Sequence, residues 1–164
     1  MRILGSLFAM MPVLLIGSCT QQQQEEEKGF SVISFNQLTE IIDKPTDKMK
    51  VINFWATWCK PCIAEMPYFE SVAKSQSDNV ELIFVSLDFP EDVEKVKTFI
   101  KKKNISAEVY LLNDTNYDEF LPKIDKSWSG AIPATLFVNK QENKYFYEKS
   151  FTEEELNTVV NSLL

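Results

Sequence analysis

Met49 to Trp55 is an almost unbroken apolar run, and Val80 to Leu87 is a second one. Runs of this length between polar turns predict strands buried on both faces. Phe30 to Ile33 alternates weakly and predicts an edge strand. Elsewhere the apolar spacing is helical: Phe35 to Ile42, Cys62 to about Ser75, and Glu91 to Lys103 with Val93, Val96, Phe99 and Ile100 on one face. Pro67 falls inside the second of these and is expected to kink it. Lys44 to Lys48 reads as a turn. Glu108 to Leu112 predicts a further strand and Asn116 to Ile124 a further helix. Thr135 to Val138 and Lys144 to Tyr147 predict a hairpin turning near Lys140 to Asn143. Thr152 is expected to cap a terminal helix, with Glu155 at the capping-box position. This alternation implies an α/β domain whose parallel or mixed central sheet is flanked by helices on both sides. No internal repeat interrupts it.

The N-terminus follows a different pattern. Arg2 precedes fourteen apolar residues, Ile3 to Ile16, which suit a signal h-region better than a membrane span. Ile16-Gly17-Ser18-Cys19 resembles a bacterial lipobox, which implies removal of residues 1–18 and lipidation of Cys19. Residues 19–29 include Gln21 to Glu27, a polar, acidic, low-complexity stretch expected to be a flexible tether of roughly 20 Å. Thr20 resembles sorting to the outer membrane, and the acidic run resembles surface-export signals, although a solvated linker explains that run as well. The expected location is the cell envelope, lipid-anchored and facing the periplasm, with the outer membrane or cell surface open.

Residues 30–164 are enough for one packed domain. The net charge of −7 becomes about −8 once Arg2 leaves with the signal, so nucleic acid is not an expected partner. The Lys101-Lys102-Lys103 run ends a helix and complements its dipole. The chain has no histidine, which excludes Ser-His and Cys-His hydrolase mechanisms and histidine ligation of zinc or haem.

Candidate chemistry converges on Trp58-Cys59-Lys60-Pro61-Cys62, where the strand ending at Trp55 hands over to a helix. Cysteines at i and i+3 on a first helical turn bring their sulfurs close enough for a disulfide. The helix N-terminus offers free N–H groups and a positive dipole to a thiolate. Cys59, expected to be exposed just outside the helix, is the nucleophile, and Cys62, one turn in, is the resolving thiol. Lys60 favours the Cys59 thiolate, and Pro61 suits the first turn because its missing N–H is not needed there. Zinc would need four ligands, and the only other cysteine is Cys19, so no metal is expected.

The stretch W-A-T-W-C-K-P-C-x-x-E-M-P resembles the thioredoxin superfamily, and more narrowly the TlpA/ResA-like branch of membrane-tethered thiol-disulfide oxidoreductases. The resemblance extends over most of Phe30 to Leu164 and implies a thioredoxin-like fold. Cys59 and Pro133 are 74 residues apart, a spacing that resembles the central β-α insertion of that branch. Ile132-Pro133-Ala134-Thr135 resembles the cis-proline loop, which implies a cis Ile132–Pro133 bond facing the disulfide and main-chain groups free to pair with an extended substrate. Trp58, Lys60, Pro61, Ile132 and Pro133 are the implied substrate-contacting residues.

Glu65 follows Cys62 on the same helical face and matches the acidic residue of C-x-x-C-x-x-E. A partly buried carboxylate there would have a raised pKa and could take the Cys62 proton. Thioredoxin's buried aspartate is replaced by Asn53, which cannot titrate. Trp55 and Phe54 are expected in the core, whereas Trp128 suits either the groove or packing beneath the loop. The resemblance implies no organic cofactor beyond the redox-active Cys59–Cys62 pair, with protein thiols or disulfides as substrates and a membrane-embedded thiol reductase as electron donor. An outer-membrane location would put that donor out of easy reach.

Two alternatives remain open at this level. A thiol peroxidase uses the same fold, but its peroxidatic cysteine normally lies elsewhere beside threonine and arginine, and the one arginine here is Arg2. A surface lipoprotein could instead use the scaffold for binding alone, with a purely structural disulfide.

Overall fold

A computed structural model describes residues 29–164. The expected signal segment, Cys19 and all but the last residue of the tether lie outside the described residues. Among the described residues, no helix is long and apolar enough to cross a membrane.

The element order is β1 (Phe30–Ile33), α1 (Phe35–Asp43), β2 (Met49–Trp55), α2 (Lys60–Ser75), β3 (Val80–Ser86), a 3₁₀ turn (Pro90–Asp92) and α3 (Val93–Lys103). Then follow β4 (Glu108–Leu112), α4 (Tyr117–Ile124), β5 (Ala134–Val138), β6 (Lys144–Tyr147) and α5 (Glu153–Leu163). The six strands form one sheet in the order β1-β4-β3-β2-β5-β6. The first four are mutually parallel, and β5 and β6 run antiparallel, so the sheet is mixed as expected. β1 is an edge strand, and β4 with α4 supplies the additional β-α unit.

Strand period decides which residues meet which helices. Met49, Val51 and Trp55 of β2 join Phe69, Phe84, Phe137 and Phe151 in one core beneath α2, α3 and α5. Ile52 and Phe54 point the other way and pack with Leu38, Ile83, Leu136 and Trp128 beneath α1 and α4. Asn53 shares the α2 side and Lys50 the α1 side. Lys50 is 3% exposed, and its ammonium donates to the carbonyls of Ile41 and Ile42 at 2.8 and 2.9 Å, and to that of Lys44. It thus satisfies the open carbonyls at the end of α1, where the helix dipole favours a cation, while burial lowers its pKa.

Several boundaries differ from expectation. α2 begins at Lys60 rather than Cys62, because Pro61 is already set for the first turn and Cys59 acts as its cap. It continues through Pro67 to Ser75. α3 begins at Val93, the residues before it forming a tight turn opened by Pro90. Its last turn carries Lys101 to Lys103, as expected. Thr152 and Glu155 form the anticipated capping box. A second capping box, Ser34 with Gln37, starts α1 and was equally local in the sequence.

Candidate active site

The carboxyl ends of parallel β2 and β3 lie beside the start of antiparallel β5, and the chain places its reactive sulfurs in that corner. After Trp55 the backbone turns once, with Cys59 N–H donating to the Ala56 carbonyl at 3.0 Å. Cys59 is the N-cap of α2 and accepts from Cys62 N–H at 3.3 Å. A disulfide joins Cys59 and Cys62, their Cα atoms 5.3 Å apart. The expectation of an exposed Cys59 is corrected: the residue is only 5% exposed, against 0% for Cys62. The cause lies across the groove, where the Ile132 carbonyl sits 3.8 Å from the Cys59 sulfur. Lys60 and Pro61 are exposed on the first turn of α2, and Trp58 stands 57% exposed beside them. Trp55 and Phe54 are core residues, as expected.

The Ile132–Pro133 bond is cis. Its loop is tied at two points. The Trp128 indole N–H donates to the Ala131 carbonyl at 2.9 Å while its ring packs on Phe54 and Phe146, so Trp128 supports the loop from beneath. From the side, the Glu148 carboxylate accepts from the N–H groups of Ser129 and Ala131 at 3.0 and 3.1 Å and from the Ser129 hydroxyl. These bonds hold Glu148 below the usual carboxylate range. Between them Gly130 has φ +94, which a side chain would strain, and an added Cβ would lie 3.1 Å from Leu121. Trp128→Phe keeps an aromatic ring but removes the donor. It should cost about 1 kcal/mol in denaturant unfolding, and an unchanged midpoint would show that the tie contributes nothing.

Behind the disulfide, Glu65 is 2% exposed one turn beyond Cys62. Its oxygens accept from the Asn53 amide at 3.1 Å and from Phe151 N–H at 2.7 Å. Asn53 also donates to Thr135 Oγ1 at 3.1 Å, the residue directly opposite it in the β2–β5 ladder. Burial raises the Glu65 pKa from 4.5 to about 7, outweighing the two hydrogen bonds that favour the charged form. Asn53 Oδ1 and Trp55 Nε1 are buried with no hydrogen-bond partner among the described residues.

Sequence reasoning did not single out Asp88. It is 1% exposed just after β3 and accepts from Thr57 N–H at 2.8 Å, from the Thr57 hydroxyl and from the Ser86 hydroxyl at 2.8 Å. It thereby fixes the loop that carries Trp58 and Cys59. A lone aspartate at the end of an apolar run was the available signal, but its partner is 31 residues away. Glu148 was missed for the same reason. Among the described residues, no group of three or more histidine, cysteine or acidic side chains could hold a metal. The arrangement pairs a dithiol/disulfide with a buried, titratable carboxyl group and a covering loop, a set suited to exchanging electrons and protons together.

Comparison with known proteins agrees with this geometry. Residues 23–143 match the model of the AhpC/TSA family. The thiol-disulfide oxidoreductase ResA of Oceanobacillus iheyensis is 29% identical over 149 residues, covering 82% of this chain and 73% of that protein. The thioredoxin-like protein YneN of Bacillus subtilis is 30% identical over 104 residues, covering 56% of this chain and 61% of its own length. Among solved structures, a secreted Mycobacterium tuberculosis disulfide oxidoreductase homologous to E. coli DsbE superimposes with a TM-score of 0.56 at 25% identity. That match covers 72% of this chain and 84% of the other. The fold is thioredoxin-like.

Proposed function

Because the chain belongs to the AhpC/TSA family and is a thiol-disulfide oxidoreductase on a thioredoxin-like fold, we propose that it reduces disulfides of client proteins outside the cytoplasm. One observation carries the reading: the Cys59–Cys62 disulfide caps α2 under the Ile132–Pro133 loop, with Glu65 buried behind it. In the reduced protein the Cys59 thiolate attacks a client disulfide, forming a Cys59–client bond and releasing one client thiolate, which takes up a proton. Cys62 then gives its proton to Glu65 and attacks the Cys59 sulfur. The mixed disulfide breaks, the second client thiolate leaves and is protonated, and the Cys59–Cys62 disulfide remains. Two electrons and two protons must return from a reductant, for which a membrane-embedded dithiol reductase is the fitting class.

The helix dipole and Lys60 favour the Cys59 thiolate. Trp58, Lys60, Pro61, Ile132 and Pro133 form the client-contacting rim, with the Ile132 carbonyl 3.8 Å from the Cys59 sulfur. Lipidation of Cys19 would anchor the domain to the envelope through the residues 20–29 that precede the fold. Peroxide reduction is disfavoured by the absence of any arginine beyond Arg2 to sit beside a peroxidatic thiolate.

The test is the equilibrium reduction potential of the Cys59/Cys62 pair, titrated against thiol buffers and paired with turnover of a disulfide-bonded protein. A value near or below about −220 mV with turnover is expected for a reductant. A value near −120 mV would reverse the direction of electron flow and overturn the proposal.

A further inference from the structure

We propose that Phe89 and Trp58 together form an apolar lip that selects extended client chains carrying an apolar side chain next to their reactive cysteine. This deepens the functional reading above and rests on it. Phe89 is 55% exposed and Trp58 57%, whereas Val32, Tyr68, Tyr145 and Leu164 are 36–42% exposed. Both stand on the same edge of the active site. Trp58 directly precedes Cys59, and Phe89 directly follows Asp88, whose carboxylate holds Thr57 N–H at 2.8 Å. The two loops are joined again where Leu87 N–H donates to the Trp55 carbonyl at 2.8 Å.

Neither aromatic is exposed because its loop is loose. Asp88 is pinned by Ser86 and Thr57, and on the far side Asp92 N–H closes on the Phe89 carbonyl at 2.8 Å as the 3₁₀ turn begins at Pro90. Two large apolar rings are therefore held out of the core by rigid backbone, at a standing cost in hydrophobic free energy. A client cysteine bonded to the Cys59 sulfur lies one residue from Trp58, and the Ile132 carbonyl 3.8 Å from that sulfur closes the opposite side. The occupant is thus continuous with the covalent site: an extended polypeptide that buries its neighbouring apolar side chain between the rings. An unfolded or partly folded client, whose apolar residues beside cysteine are uncovered, fits that description, and a folded protein with polar surroundings at its disulfide does not.

The experiment compares two otherwise identical, uncharged disulfide peptides, one with leucine and one with glycine on both sides of the cysteine, as substrates of the reduced protein. The wild type should favour the leucine peptide about tenfold in kcat/KM, mostly through KM. Phe89→Ser should lower that ratio about fivefold. Tyr145→Ser, an exposed aromatic on the distant edge strand β6, should leave the ratio at its wild-type value. A merely structural role for Phe89 would slow both peptides alike and keep the ratio, which would overturn the lip. So would a concentration-dependent dimer that Phe89→Ser abolishes without altering the ratio, since the surface would then belong to a second copy of the chain. A wild type that exchanges with neither peptide overturns the functional reading itself, whereas equal exchange with both overturns only the selectivity.

Discussion

Glu65→Gln is expected to slow resolution of the mixed disulfide about 100-fold at neutral pH, the usual scale for losing one general base. Resolution needs the Cys62 proton to leave as its sulfur attacks, and Cys62 is fully buried, so bulk water cannot readily take it. Glu65, one turn away and with a pKa of about 7, is half ionised at neutral pH and can both accept and return a proton. Its present bonds go to Asn53 and Phe151. The wild-type rate should climb with pH through about 7 as Glu65 loses its proton. In the variant that limb should vanish. Stopped-flow resolution of a preformed Cys59 mixed disulfide reads this directly, and identical pH profiles for the two proteins would remove Glu65 from the mechanism.

The same carboxyl group makes a stability prediction with a definite sign. Its folded pKa lies above the ordinary 4.5, so between pH 4.5 and about 7 the folded state holds the proton more tightly than the unfolded chain. Stability from this group is therefore complete below pH 4.5 and is lost as pH rises through about 7. The shift corresponds to about 3 kcal/mol across that window, which Glu65→Gln should not show. As it stands, the Asn53 amide donates to Glu65 and favours the charged form. A protonated Glu65 needs an acceptor, and Asn53 Oδ1 is buried beside it without a partner. Turning the Asn53 amide over would present that oxygen, which an aspartate's repelling charge would not match.

Asp88→Ala is expected to cost about 3 kcal/mol in denaturant unfolding. The carboxylate is 1% exposed and accepts from Thr57 N–H and from the hydroxyls of Thr57 and Ser86. Alanine would leave the buried Ser86 hydroxyl and the half-buried Thr57 donors short of an acceptor, and each buried unmet donor costs about 1–3 kcal/mol. The Lys95 ammonium, 3.7 Å away but half exposed, adds little because solvent screens it. Asp88→Asn should lose less, since its amide oxygen still accepts while its NH₂ faces at least one donor. An Asp88→Ala unfolding midpoint equal to the wild type would show that the loop carrying Cys59 holds its shape without this carboxylate.

The elements themselves were legible because their causes are local. A largely apolar run of seven residues makes β2, Pro61 in a first turn starts α2, and a threonine three residues before a glutamate caps α5. The place of the two cysteines follows from the same signals, since a C-x-x-C at a strand-to-helix junction puts both sulfurs on one helical turn. The resemblance added the cis bond before Pro133, which no local preference would have favoured.

Sheet register and helix docking decided the rest. Thr135 meets Asn53 because β5 pairs antiparallel with β2 at that register, 82 residues apart, and Phe151 meets Glu65 from 86 residues away. Lys50 interrupts an apolar run visibly, yet only the packing of α1 on the sheet shows which carbonyls receive it. Cys59 was expected to be exposed and is covered, because the loop that covers it arrives from residue 132. The sequence by itself determined the strands, the helices and the reacting pair, through periodicity and short-range chain stereochemistry. Tertiary structure alone determined the buried hydrogen-bond network around Glu65 and the loop supports, because burial and hydrogen bonding between distant residues exist only once the sheet has chosen its register.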